Sequence, residues 1–146
     1  MKQFTYSMQR VLDARQASED AAQGALAKAC AAVTVEQGVL SALIRQRRQL
    51  TRHLAPCDED TPEGRAVVRA YAYLARLDRR IGDYRERVRR CEADAEYARG
   101  QLACAVRERR KMEKLRDRER TAWESDVRRS EQHQMDENAI LMGTQN

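Results

Sequence analysis

Ten consecutive a and d positions of a heptad pattern, between residues 74 and 105, constrain the fold of this chain most. None of the ten carries a charge, and the set is Leu74, Leu77, Ile81, Tyr84, Val88, Cys91, Ala95, Ala98, Leu102 and Ala105. Such 3-4 spacing is typical of a helix that packs lengthwise against another helix. The pattern therefore predicts a long helix and requires a partner for it.

A similar, less regular stripe earlier in the chain supplies that partner. Its apolar positions are Met8, Leu12, Ala22, Leu26, Ala29, Val33, Leu40, Leu43, Leu50 and Leu54, and the residues that break it are Arg15, Glu19, Glu36 and Arg47. The stripe predicts a first helix over about residues 4–54.

The two prolines lie between the stripes, at Pro56 and Pro62. Pro56 cannot continue a helix, and Thr61 before Pro62 has the pattern of an N-cap followed by the first helical residue. We expect a turn over 55–61, a second helix over about 62–138 and a tail over 139–146. The predicted fold class is all-α: one domain, residues 1–146, forming an antiparallel two-helix coiled-coil hairpin with a longer, overhanging second helix.

The difference in helix length predicts where the overhang begins. If residues 54 and 62 face each other across the turn, the start of the first helix lies opposite about residue 112. The apolar stripe of the second helix also stops there, and about 40 Å of helix remains beyond it.

The predicted overhang carries a sparse apolar stripe with no partner expected in its own chain. Its members are Leu115, Ala122, Trp123 and Val127. A tryptophan flanked by arginines is a frequent composition at protein interfaces, so this stripe predicts a partner-binding surface.

Composition argues against an enzyme. With 35% charged and 5% aromatic residues, the chain cannot enclose the water-excluding pocket that catalysis needs. The four cysteines include no CxxC pair, and no glycine-rich phosphate loop is present, so we expect no cofactor and no metal site. The chain's opening lacks the apolar stretch of a signal peptide, which favours a cytoplasmic location.

A local excess of positive charge is the strongest electrostatic feature. Arg45, Arg47, Arg48 and Arg52 follow one another with no acidic residue between Glu36 and Asp58. Such a run attracts an acidic protein, a nucleic acid or anionic lipid, although a solvated helix face is the simpler interpretation. No aromatic residue is interleaved with the run to stack on bases, so nucleic acid is not an expected partner.

Both ends of the chain resemble one known family. The residues concerned are 109–115 and 130–139 near the C-terminus, and 4–8 with Val11, Leu12, Arg15 and Glu19 near the N-terminus. They are similar to the FliJ family, the stalk and chaperone-escort component of the flagellar type III export ATPase complex.

That resemblance implies a non-enzymatic role in bacterial flagellar protein export, and hence in flagellum biogenesis and motility. The chain would be a coiled-coil stalk that binds the hexameric export ATPase, linking it to the export-gate membrane protein and to export chaperones. It would lie at the cytoplasmic face of the inner membrane, with membrane association indirect through the gate.

Site residues follow from the overhang and from the resemblance. ATPase contacts are expected at the overhang and N-terminus, at Phe4, Met8, Leu115, Trp123, Val127 and Met135. Export-gate contacts are implied at Val39, Leu43, Gln46, Leu50, Tyr73, Leu77, Arg80 and Tyr84. Four of these, Leu43, Leu50, Leu77 and Tyr84, also belong to the apolar stripes. Two alternatives stay open: the stalk of a virulence type III injectisome, and a basic helical hairpin that binds nucleic acid.

Overall fold

Two long α-helices make up the fold. A computed structural model describes residues 3–54 and 61–143, in which α1 spans Gln9–His53 and α2 spans Pro62–Gly143. The helices pack against each other and the described residues contain no strand, so the predicted all-α helical hairpin is confirmed. Its contacts divide into two units, Ala22–Leu102 and Met1–Ala21 with Ala103–Asn146.

The helix ends differ from the sequence expectation at two places. Residues 3–6 are not helical and a turn follows, so α1 begins at Gln9 rather than near residue 4. The Gln9 amide donates to the Tyr6 carbonyl oxygen at 3.3 Å, and the Leu12 amide donates to that of Met8 at 3.1 Å. At the other end, α2 continues to Gly143, past residue 138.

The start of α2 has the cap that the sequence indicates. The Gly64 amide donates to Thr61 Oγ1 at 2.9 Å, and the Arg65 amide donates to the Thr61 carbonyl at 3.0 Å. Thr61 is therefore the N-cap and Pro62 the first helical residue, where a missing amide hydrogen costs nothing. The rest of the predicted turn, residues 55–60, lies outside the described residues.

In the unit Ala22–Leu102 the core is the apolar seam between the helices. Leu77 is 1% exposed and packs with Leu43 and Ile81, and Val39, Leu40, Ile44 and Tyr84 pack against these three. Six of the ten heptad positions on α2 are buried and the other four are half-buried. The periodicity thus identified the buried face of α2 correctly.

The register between the helices differs from the one predicted. Gln37 Nε2 donates to Glu92 Oε1 at 3.2 Å, whereas the expected register puts residue 79 opposite Gln37. Arg47 Nε lies 2.5 Å from Asp78 Oδ1, where residue 69 was expected. The first large buried side chain on α2 is Leu74, and burial of apolar side chains such as Leu74 and Leu77 favours the observed register.

In the unit Met1–Ala21 with Ala103–Asn146 the seam is partly polar. Arg109 Nε lies 2.5 Å from Glu19 Oε2 and its Nη1 lies 2.6 Å from Glu113 Oε1. Hydrogen bonds from Arg109 to Glu19 and Glu113 raise the pKa of the guanidinium. Glu19 interrupts the apolar stripe of α1, Arg109 follows the end of the stripe of α2, and the structure shows that the two residues are partners.

The amino-acid content of α1 is apolar enough to raise the question of a membrane span. One 18-residue window in this helix has a mean hydropathy of 1.3 with at most two charged residues, which suffices by length and composition alone. The apolar side chains of α1, including Leu12 and Leu43, supply one side of the seam with α2. Of that window, 6% is buried within the structure, and one such helix is weak evidence for a membrane span.

The buried seam gives a direct test of packing. Replacing Ile81, which is 4% exposed, with asparagine should destabilise the chain by about 2–4 kcal/mol, because a polar amide replaces apolar volume in the seam. Val68→Asn, at a position 50% exposed on the same helix, is the matched control and should cost under about 0.5 kcal/mol. Urea unfolding followed by circular dichroism measures both; equal effects would contradict the seam.

The Glu19–Arg109 pair gives a test of register. Glu19→Arg and Arg109→Glu should each lower the melting temperature, since each places like charges across the seam, and the double variant should recover most of the loss. Melting curves of the four chains at pH 7 make the comparison. A double variant no more stable than the less stable single variant would show that the two residues are not opposite each other.

Candidate partner-binding surfaces

The segment before α1 lies along α2. Tyr6 is 5% exposed, and its hydroxyl donates to the Met112 carbonyl oxygen at 3.3 Å. Two residues earlier, the ring of Phe4 packs on that of Trp123, with centroids 5.8 Å apart and planes inclined at 52°. Residues 3–6 therefore cover a stretch of α2 that was expected to have no partner.

The expectation that no part of the chain covers Trp123 was wrong because residues 3–6 are not helical. We call them the extended segment, since Phe4 and Tyr6, two residues apart, contact Trp123 and Met112, which are eleven residues apart on α2. An extended chain advances about 3.3 Å per residue, against about 1.5 Å in a helix. Four residues thus reach much further along α2 than four helical residues would. The sequence carries a signal for this: Phe4, Tyr6 and Met8 alternate with polar residues, and period-two alternation places alternate side chains of an extended segment on one face.

Two grooves flank Trp123. One has a volume of about 620 Å³ and is lined by Gln3, Phe4, Thr5, Glu119, Ala122, Trp123 and Asp126. The other, of about 290 Å³, is lined by Trp123, Glu124, Val127 and Arg128. Trp123 and Val127 are half-buried. The indole is thus covered by Phe4 on one side and reachable from the other.

Beyond Val127, the side chains of α2 that the structure describes are exposed to solvent. Residues 128–140 and Met142 are all exposed, including Met135 at 68% and Met142 at 78%. We call residues 128–143 the exposed end; it is roughly 24 Å long, shorter than predicted because the extended segment covers part of α2. Leu115, which is 43% exposed, lies before it.

The eight residues implied for the export gate divide into two groups. Leu43 and Leu77 are core residues, and Val39 and Tyr84 pack against them. Leu43 and Leu77 are 5% and 1% exposed, so they cannot meet a partner while the seam is closed. Burial in the seam thus argues against gate contact by these two leucines.

The remaining gate candidates share a surface on which both helices meet. Gln46 Nε2 on α1 donates to the Tyr73 hydroxyl on α2 at 2.8 Å. The guanidinium carbon of Arg76 lies 5.9 Å from the centre of the Tyr73 ring. Gln46, Tyr73 and Arg80 are exposed, and Leu50 is half-buried. These four residues are accessible where Leu43 and Leu77 are not.

Three of the four arginines in the run of α1 lie on one solvent-exposed face of the helix. Arg45, Arg48 and Arg52 lie within an arc of about 60° on the helix, directed away from the seam residue Leu43. Arg47, in contrast, pairs with Asp78, whose hydrogen-bonded carboxylate raises the pKa of that guanidinium. Of the four arginines, Arg47 is the one with an acidic partner among the described residues.

Cysteines and acidic residues do not converge. Within residues 3–54 and 61–143, no group of three or more His, Cys, Asp or Glu side chains is placed to hold a metal ion. Cys30 and Cys91 are half-buried, Cys91 at its predicted heptad position, and Cys104 is exposed. Cys57 lies outside the described residues.

Comparison with known proteins identifies a family whose sequence pattern the chain matches. A family model described as "Flagellar FliJ protein" matches residues 4–146. No curated protein and no solved structure matches the chain. The match begins at Phe4 and includes the extended segment, both helices and the exposed end.

Truncation separates the exposed end from the rest of its unit. Deletion of residues 128–146 removes a stretch in which residues 128–140 and Met142 are exposed, and it should leave the melting temperature unchanged within about 2 °C. Deletion of residues 113–146 also removes Glu113 and Trp123, the partners of Arg109 and Phe4, and should lower it. Thermal melts of both truncations test this; an equal loss in both would mean that the exposed end contributes to packing.

Proposed function

The chain belongs to the FliJ family of flagellar proteins, and from that premise we propose that it is a non-enzymatic coiled-coil stalk of the flagellar export apparatus. The family match over residues 4–146 is the observation that carries this proposal. Family membership makes the chain a flagellar export-related component. The proposal adds its partners: the hexameric export ATPase, the export-gate membrane protein and the export chaperones.

The exposed end and the neighbouring Trp123 are the proposed ATPase-binding surface. A single helix is about 10–12 Å wide with its side chains, which suits the central opening of a protein ring. Met135, Val127, Leu115 and the reachable side of Trp123 offer apolar contact area there. Tryptophan is among the residues that most often dominate the energy of an interface.

The proposed export-gate surface is the exposed group Gln46, Tyr73 and Arg80, with Leu50 at its edge. Gln46 and Tyr73 are joined by a hydrogen bond across the two helices, which fixes both polar groups for a partner. The burial of Leu43 and Leu77 favours a structural role for them. Contact with export chaperones, and a location at the inner membrane through the gate, rest on the family alone.

Substitution of Trp123 tests the ATPase contact. Trp123→Ala should weaken binding to the purified export ATPase of the same system at least tenfold, because an interface tryptophan commonly contributes 2 kcal/mol or more. Tyr97→Ala, at a tyrosine that is 70% exposed on the same helix, is the control and should bind normally. Titration calorimetry measures both affinities, and circular dichroism confirms that both chains fold.

Unchanged affinity for Trp123→Ala would contradict the proposed contact. The nucleic-acid alternative makes a different prediction for the same purified chain. It requires retention on DNA that falls steeply between about 50 and 200 mM salt, together with no binding to the ATPase. The injectisome alternative would be favoured by binding to the injectisome ATPase and not to the flagellar one.

A further inference from the structure

We propose that residues 3–5 form a strap that covers one side of Trp123 in the free chain and leaves it when the export ATPase binds. This inference rests on the proposed contact between Trp123 and the ATPase. It changes the role expected for Phe4, from a residue that contacts the ATPase to one that competes with it. The strap is defined here as Gln3, Phe4 and Thr5.

The strap is tethered at its C-terminal side. Tyr6 is 5% exposed, donates a hydrogen bond to the Met112 carbonyl and leads directly into the turn before α1. These contacts hold residue 6 on α2 whether or not Phe4 is in place. Because Tyr6 stays in place, Phe4 remains near Trp123 at high effective concentration and returns to it readily.

Residues 3–5 of the strap are held much more weakly than Tyr6. Among the described residues, Gln3, Phe4 and Thr5 make no hydrogen bond to α2, and the ring contact between Phe4 and Trp123 is their specific interaction. Phe4 and Trp123 both remain half-exposed. An aromatic pair of this kind shifts an equilibrium by about two- to tenfold, so opening is readily accessible to the free chain.

The other side of Trp123 is open to a partner while the strap is closed. Trp123, Val127 and Arg128 line the groove on the side away from the strap, and the exposed end continues from there. A partner seated on that side gains the remaining face of the indole only by replacing Phe4. The covered and uncovered forms therefore present different apolar areas to the partner. The partner binds the uncovered form better, and this difference in affinity shifts the equilibrium toward that form.

The strap should reduce the apparent affinity for the ATPase, because only chains in which the strap is open offer the whole indole for binding. Phe4→Ala should consequently bind the ATPase about two- to tenfold more tightly than the parent chain. Val11→Ala is the matched control: Val11 is also near the N-terminus and 38% exposed, but lies outside the strap. It should leave the affinity unchanged.

The chain has one tryptophan, so 5-fluorotryptophan reports on Trp123 alone. We would record its ¹⁹F resonance in the parent, Phe4→Ala and Val11→Ala chains, free and with the purified export ATPase. In the free state, Phe4→Ala should move the resonance, because the ring current of Phe4 is lost, and Val11→Ala should not. In the complex, all three chains should give the same resonance, because Phe4 has left the indole.

Each other outcome is decisive. A free-state resonance unaffected by Phe4→Ala would overturn the strap itself. Weaker ATPase binding by Phe4→Ala, or a difference between parent and Phe4→Ala that persists in the complex, would show that Phe4 belongs to the bound surface and would overturn the displacement. Failure of all three chains to bind the ATPase would overturn the proposed function and the displacement together. The free-state spectra would still show whether Phe4 covers Trp123 in the unbound chain.

Discussion

The apolar seam between α1 and α2 is the interaction on which the rest of the structure depends. A chain with 35% charged and 5% aromatic residues cannot form a thick core, so its stability comes from one narrow interface. Leu43, Leu77 and Ile81 form the centre of that interface in one unit. In the other unit the ion pairs of Arg109 with Glu19 and Glu113 take over part of the seam. Because a polar pair in an apolar stripe matches only its partner, such pairs specify register as well as contact.

The two ends of α2 consequently differ in what they offer to other proteins. Around Leu77 the side chains that face α1 are used by the fold, and the exposed residues Gln46, Tyr73 and Arg80 form the proposed gate surface. After Val127 the helix has exposed side chains, and Trp123 stands at the boundary, covered on one side by Phe4. Function is therefore expected where intramolecular packing is incomplete. This agrees with the general observation that binding surfaces come from the less stable parts of a protein.

Much of the fold could be predicted from the sequence, because heptad spacing reports directly on which face of a helix is buried. The ten positions from Leu74 to Ala105 and the Thr61 cap are examples. The register was missed because it was counted from the turn, whereas the burial of Leu74 and Leu77 against α1 sets it. The cover on Trp123 was missed because a helix was extended to residue 4, although the alternation of Phe4, Tyr6 and Met8 indicated an extended segment. For the gate surface, family resemblance alone could not separate buried Leu77 from exposed Tyr73, since that distinction depends on packing.

Hydrogen exchange of the chain, alone and with the purified export ATPase, tests the central claim that the exposed end of α2 is the part held by the ATPase. Amides of residues 128–143 should exchange rapidly in the free chain, because the side chains of residues 128–140 and Met142 are exposed, and slowly in the complex. Amides of residues 74–98 should be protected in both states. Rapid exchange of residues 128–143 that persists in the complex, with new protection confined to α1, would contradict the account.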